Sequence, residues 1–249
     1  YSKVYNSDVF KKIMNIRLFY PLIEDDDLES LRSCFNESWL GLGSKVYEFE
    51  KEWVKKIVPD SHAVACNSAT AALHIALLAL QLPPKSEVIV PSLTFVSSVN
   101  AIVYAGLNPI FAEVDPKSLT ISIDSIRNLV NEKTSAILPV HYGGEPCDME
   151  AIINLASSHN LKVIEDCAHT QGGIYKNKAL GTWGDIGCFS FEEKKGMTTG
   201  DGGMLVTKNK GVAELAKRIR WLGINKDTWT RSKNITSQNW YYEISELGF

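Results

Sequence analysis

Apolar positions along the chain fall into two alternating kinds of segment. Residues 25–35 and 44–56 carry helical spacing. In the second, Val46, Phe49, Trp53 and Ile57 recur three and four residues apart, one face of a 3.6-residue period. Residues 70–80 continue in good helix formers after a Ser/Thr-rich start, and 63–66 reads as a strand ahead of them. Short β-rich runs follow at 87–90, 108–114, 135–140 and 162–165. They are apolar nearly throughout rather than alternating, as expected for strands covered on both faces. Between them, 97–104, 123–130 and 149–159 read as helices. This rhythm predicts an α/β fold with a mostly parallel central sheet sandwiched by helices. Further strands are expected at 189–191 and 203–207, between glycine-rich turns, with a helix over 212–221. No internal repeat, low-complexity tract or linker interrupts the pattern.

The 249 residues, 45% hydrophobic and 22% charged, have an ordinary globular composition and can bury a sizeable core in one large domain. A net charge of −3 gives no electrostatic reason to expect nucleic acid or an anionic membrane as partner. No apolar stretch reaches the ~18–20 residues of a transmembrane helix. The longest candidate, 65–80, is broken by Asn67, Ser68, Thr70 and His74. Residues 1–13 mix lysines with polar and apolar positions and lack a signal-peptide core, so they read as an N-terminal extension. Met14 begins a more patterned segment, and 14–249 read as the domain itself. The five cysteines (Cys34, Cys66, Cys147, Cys167, Cys188) are odd in number and include no CxxC pair. That favours buried small hydrophobes in a reducing cytoplasm over a disulfide framework or a zinc site, and no metal is expected.

Ligands of open α/β sheets collect at the carboxyl ends of the strands, so polar residues just after strands are the first candidates. Four segments qualify. In Cys66-Asn-Ser-Ala-Thr-Ala-Ala-Leu-His74 a strand runs into small hydroxyl residues and then a helix, which makes a phosphate site or, equally simply, a plain N-cap by Ser68 or Thr70. In Ile164-Glu-Asp-Cys-Ala-His169 a strand ends on Asp166, with His169 three residues later. The carboxylate suits a pyridinium nitrogen, which it would keep protonated; the alternative is a turn cap beside a structural histidine. In the segment 184–203 a strand delivers Ser190, then Lys194 and Lys195, two threonines and a glycine-dense turn. A lysine amine can form an imine with a carbonyl cofactor. A solvated lysine pair before a hairpin is the rival reading, and the glycines argue for close backbone approach instead. In Pro91-Ser-Leu-Thr-Phe95, Phe95 either stacks on a flat ring or belongs to the core.

The order of these segments resembles the DegT/DnrJ/EryC1/StrS family of nucleotide-sugar aminotransferases, which have the aspartate-aminotransferase-like fold (fold type I) and use pyridoxal 5′-phosphate (PLP). The likeness runs from about Arg17 to Phe249. It includes Trp39-Leu-Gly-Leu-Gly43, Asn67-Ser-Ala-Thr-Ala-Ala-Leu-His74, Val90-Pro-Ser-Leu-Thr-Phe95 and Pro139-Val-His-Tyr-Gly143. It continues through Ile164-Glu-Asp-Cys-Ala-His169, Phe189-Ser-Phe191, Thr198-Thr-Gly-Asp-Gly-Gly203 and Trp240-Tyr-Tyr-Glu-Ile-Ser-Glu-Leu-Gly-Phe249.

The resemblance implies roles. The family's imine lysine lies five residues after the serine of its Ser-Phe motif and five before the first glycine of its glycine-rich turn. Counted from Ser190 and from Gly200, both rulers land on Lys195 rather than Lys194. Asp166 is then the partner of the pyridine nitrogen, and His169 lies by the cofactor's phenolic oxygen. Phe95 stacks on the ring, Ala69, Thr70 and Ser190 hold the phosphate, and 39–43 lines the sugar-nucleotide entrance. The expected substrates are small molecules, a keto-sugar nucleotide and an amino-acid donor such as glutamate. The expected setting is a cytoplasmic homodimer serving polysaccharide biosynthesis.

Three departures from the family pattern qualify this. The usual Gly-Glu-Gly-Gly is Gly200-Asp-Gly-Gly203 here, and Ser44 replaces a proline after the entrance glycine. Family chains also run on past the Leu-Gly-Phe motif through a small C-terminal domain, whereas this chain ends at Phe249. The expectation is therefore a large PLP-binding domain with the small domain largely absent. The alternative is a truncated, non-catalytic remnant acting as a binding or regulatory module. A branch of the family that deoxygenates sugars has histidine in place of the lysine, and Lys195 argues against that branch.

Overall fold

Two helices, α1 (Asp25–Asn36) and α2 (Ser44–Lys56), precede the sheet. The structure is a computed structural model that describes residues 19, 21–232 and 241–249, apart from the side chain of Thr230. The extension read over 1–13, Met14 after it and the Trp240 that opens the last motif lie outside the described residues. The chain then alternates as β1 (His62–Cys66), α3 (Ala69–Ala79), β2 (Glu87–Pro91), α4 (Val96–Tyr104), β3 (Asn108–Ala112), α5 (Ile123–Leu129) and β4 (Thr134–Ile137). It continues through α6 (Met149–Ser158), β5 (Lys162–Asp166), a hairpin of β6 (Ile174–Tyr175) and β7 (Lys178–Ala179), β8 (Ile186–Ser190), β9 (Gly203–Thr207), α7 (Lys210–Arg220) and α8 (Thr228–Ser232).

Seven strands form one sheet in the order β1-β9-β8-β5-β4-β2-β3. The pairs β2–β3, β2–β4, β4–β5 and β5–β8 are parallel, while β9 pairs antiparallel with both β8 and β1. Six strands therefore point one way and only β9 is reversed. The predicted mostly parallel sheet, covered by helices on both sides, is the observed one.

Strand residues alternate between two apolar clusters, which is why the strands read as apolar throughout. Val64, Val88, Val90, Ile164, Ile186, Cys188 and Leu205 pack with Leu73, Ile75, Ile102 and Ile219 of α3, α4 and α7. Ala63, Ile89, Ile137, Val163, Phe189 and Val206 pack with Trp53, Ile126, Met149 and Ile152 of α2, α5 and α6. Trp53 anchors the second layer edge-on to Phe189 and Phe191, with ring centroids 5.2 and 5.0 Å away. Helix starts are capped locally: Ser68 accepts from the Ala71 amide, Ser122 from Ser125, Asp148 from Ala151, and Asn209 from Gly211 and Val212.

Helix α1 forms as its spacing predicts, but none of its residues is buried, and Leu28, Leu31 and Phe35 lie exposed. All five cysteines are free, and burial pushes the Cys147 thiol up to about 12. Among the described residues no helix is long and apolar enough to cross a membrane.

Candidate active site

Because only β9 is reversed, the carboxyl ends of β1, β2, β5 and β8 and the start of β9 share one edge of the sheet. Asp166 closes β5 there, 5% exposed. Its backbone is held from both sides: its amide donates to the Pro139 carbonyl (2.9 Å), and its carbonyl accepts from the His141 amide (3.2 Å). Its Oδ2 accepts from the Ser98 hydroxyl at 2.8 Å and its Oδ1 from the Ala168 amide at 3.1 Å. It forms no ion pair among the described residues. An ionised carboxylate offers about four acceptor directions, so this buried group keeps open capacity and lacks a counter-charge.

His169 and Lys195 supply the neighbouring charge pattern. The Gly143 amide donates to His169 Nδ1 at 3.1 Å, so the neutral ring carries its proton on Nε2 and can donate it. Partial burial holds the His169 pKa below its ordinary value; the Lys195 ammonium lowers it further and the Asp166 carboxylate opposes them. Lys195 and Asp166 thus both lie within electrostatic reach of His169. Lys194, by contrast, is exposed and turned outward, 3.8 Å from Glu192 and over the Phe19 ring. Lys195 has no ion-pair partner among the described residues. The two neighbouring lysines thus have different surroundings.

The start of α3 is pressed against the start of β9. A Cβ on Gly203 would fall 2.3 Å from the Ser68 carbonyl carbon and 2.6 Å from the Ala69 nitrogen, so only glycine permits the approach. Gly203 pairs with Ser190, the buried last residue of β8, so Ala69, Thr70 and Ser190 are gathered at one point. The amides of Ala69 and Thr70 are the first of α3 and precede its hydrogen-bonded turns. Two free N–H groups, a helix N-terminus and the Ser190 hydroxyl form a donor set that suits a phosphate.

The first turn of α4 ties these parts together. Phe95 is its N-cap and is 72% exposed, an uncovered aromatic face. Ser97 meets the Thr70 hydroxyl at 2.7 Å, and Ser98 meets Asp166. One helical turn thus spans the phosphate-type donor set, the aromatic face and the buried carboxylate. Among the described residues, no hydrogen bond or ring contact joins the 39–43 segment to this cluster. There Trp39 Nε1 donates to the Leu42 carbonyl (3.0 Å), and the Trp39 ring stacks edge-on to Trp229 while leaving no room for a side chain at Gly43.

Three further groups were not singled out by their sequence positions. Ser98 and Thr94 stand behind Asp166, and Gln171 fixes Ser190 by donating from Nε2 to its carbonyl at 2.6 Å. A buried cluster of His141, Glu165 and Cys167 lies on the opposite face of β5. Its acceptors are already used: Glu165 takes the amides of Gly181, Trp183 and Gly184 at 2.7–2.8 Å as well as His141 Nε2 at 3.2 Å, and His141 Nδ1 takes the Cys147 amide. This network closes the turn between β7 and β8.

Comparison with known proteins gives the setting. The DegT/DnrJ/EryC1/StrS aminotransferase family matches residues 21–247. The spore coat polysaccharide biosynthesis protein SpsC of Bacillus subtilis is 39% identical over 92% of this chain and 58% of its own length. GDP-perosamine synthase of Escherichia coli O157:H7 is 40% identical over 84% of this chain and 57% of its own. A Streptococcus pneumoniae structure solved in its PLP-form superposes with a TM-score of 0.83 at 25% identity, covering 94% of this chain and 62% of that one. The chain thus spans about three fifths of the length of the proteins it matches.

Proposed function

Since the chain belongs to the DegT/DnrJ/EryC1/StrS aminotransferase family, we propose that residues 14–249 are the large, cofactor-binding domain of a PLP-dependent nucleotide-sugar aminotransferase. The observation that carries this reading is Asp166, a buried carboxylate with open acceptor capacity and no cationic partner among the described residues, facing a neutral histidine and an unpaired lysine. A protonated pyridine nitrogen is the counter-charge that such a carboxylate lacks. The free amides of Ala69 and Thr70 and the Ser190 hydroxyl fit the phosphate. The exposed Phe95 ring fits a flat heterocycle. Bound there, PLP would supply a reactive carbonyl and an electron-withdrawing ring.

The chain's own residues divide the remaining work. Lys195 Nζ is the amine that would hold the cofactor's carbonyl carbon. The same side chain would serve as the acid–base group for the proton at the substrate carbon. Asp166 would stabilise positive charge on the ring nitrogen, and the His169 Nε2–H is available to donate towards the phenolic oxygen. The acceptor is a keto-sugar nucleotide and the donor an amino acid, glutamate. Residues 39–43 line the sugar-nucleotide entrance, and the working form is a cytoplasmic homodimer. The names of SpsC and GDP-perosamine synthase support a role in making amino sugars for polysaccharides.

Purified protein incubated with PLP tests this. A visible absorption band that glutamate bleaches is expected. Failure to take up PLP at a saturating concentration would refute the reading.

A further inference from the structure

We propose that Ser98, backed by Thr94, is a positioning residue that orients Asp166 and keeps a shared proton on the ring nitrogen opposite it. The inference rests on the reading above that Asp166 faces that nitrogen. Ser98 is fully buried in the first turn of α4, and its hydroxyl lies 2.8 Å from Asp166 Oδ2 and 2.7 Å from the Thr94 hydroxyl.

Hydrogen-bond inventory fixes the direction of this chain. An ionised carboxylate only accepts, so the single Ser98 proton goes to Asp166. The Thr94 hydroxyl must then donate to Ser98 Oγ. A hydroxyl that is itself accepting a hydrogen bond is a stronger donor, so Thr94 reinforces the Ser98–Asp166 bond. With Ala168 N–H on Oδ1, two donors hold both oxygens and stop the carboxylate rotating. With both oxygens held by donors, the carboxylate can meet a ring N–H only as an acceptor, so a shared proton stays on the ring. A buried helical serine usually satisfies itself on the carbonyl one turn back. Here the hydroxyl is spent on the carboxylate and on a neighbouring side chain, which serves α4 in no evident way.

The test uses the holoenzyme containing this chain, loaded with PLP carrying nitrogen-15 in the ring. In the wild type the ring-nitrogen resonance should lie at the protonated-pyridine position. Ser98→Ala should move it towards the neutral position and weaken PLP binding by about tenfold, the worth of a hydrogen bond to a charged group. Ser98→Thr, which keeps the hydroxyl, should restore both readouts, and Thr94→Val should give a smaller shift in the same direction. A Ser98→Ala holoenzyme with wild-type resonance and affinity overturns the role of Ser98. Should Ser98→Ala not fold, Thr94→Val decides: a shift supports the relay and an unmoved resonance overturns it. A wild-type resonance already at the neutral position is a different failure, that of the reading of Asp166 itself.

Discussion

Glu165 and Asp166 sit side by side at the end of β5 and point to opposite faces of the sheet. Both are buried, at 0% and 5% exposure, and neither is paired with lysine or arginine among the described residues. Glu165 is saturated by three backbone amides and a histidine, so its charge is spent on closing a turn. Asp166 accepts from one hydroxyl and one amide, keeps acceptor capacity in reserve, and acts electrostatically on His169. Burial alone does not distinguish a structural acid from a functional one, whereas the tally of filled acceptor sites does.

That contrast can be broken by substitution. The largest effect belongs to the open side: Lys195→Ala should lower turnover by about ten-thousandfold, the upper range for a lost general base, while Lys194→Ala stays near wild type. Comparable loss from both lysines in steady-state kinetics would undo the distinction drawn between them. On the saturated side, Glu165→Ala strands the buried Gly181 amide, the half-buried Trp183 and Gly184 amides and His141, and should cost about 3–5 kcal/mol in denaturant unfolding. Asp166→Asn keeps the shape and should change stability by no more than about 1 kcal/mol, yet reduce turnover about a hundredfold to a thousandfold. If the two acids exchanged these signatures, the division into structural and functional sides would be wrong.

The smallest effect is a titration. His169 is held below its ordinary value of 6.5 by burial and by the Lys195 charge, so it stays neutral at pH 7 and gains its proton only as pH falls past a midpoint below 6.5. Lys195→Ala removes one of the two lowering causes and should raise that midpoint. Imidazole NMR measures both, and a wild-type midpoint above 6.5 would contradict the site geometry.

The contrast also shows what the amino-acid pattern can carry. The parallel strands were legible because helices cover both faces, leaving apolar runs such as Glu87–Pro91. The β6–β7 hairpin was not, since two-residue strands with an exposed Ile174 leave no periodic trace. The reversal of β9 was equally hidden, because periodicity does not encode strand direction. In the site, strand-end position and resemblance to the family singled out Lys195, Asp166, Ala69, Thr70, Ser190, Phe95 and His169. Ser98 escaped notice because it reads as one small polar residue in a helix. Its significance comes from a hydrogen bond to a residue 68 positions away, at the end of β5.

The central claim is that Lys195 is the residue that holds PLP. Borohydride reduction of the PLP-loaded protein followed by peptide mass spectrometry tests it most directly. The account predicts a reduced phosphopyridoxyl group on Lys195 alone. A label on Lys194, or none after saturation with PLP, would contradict it.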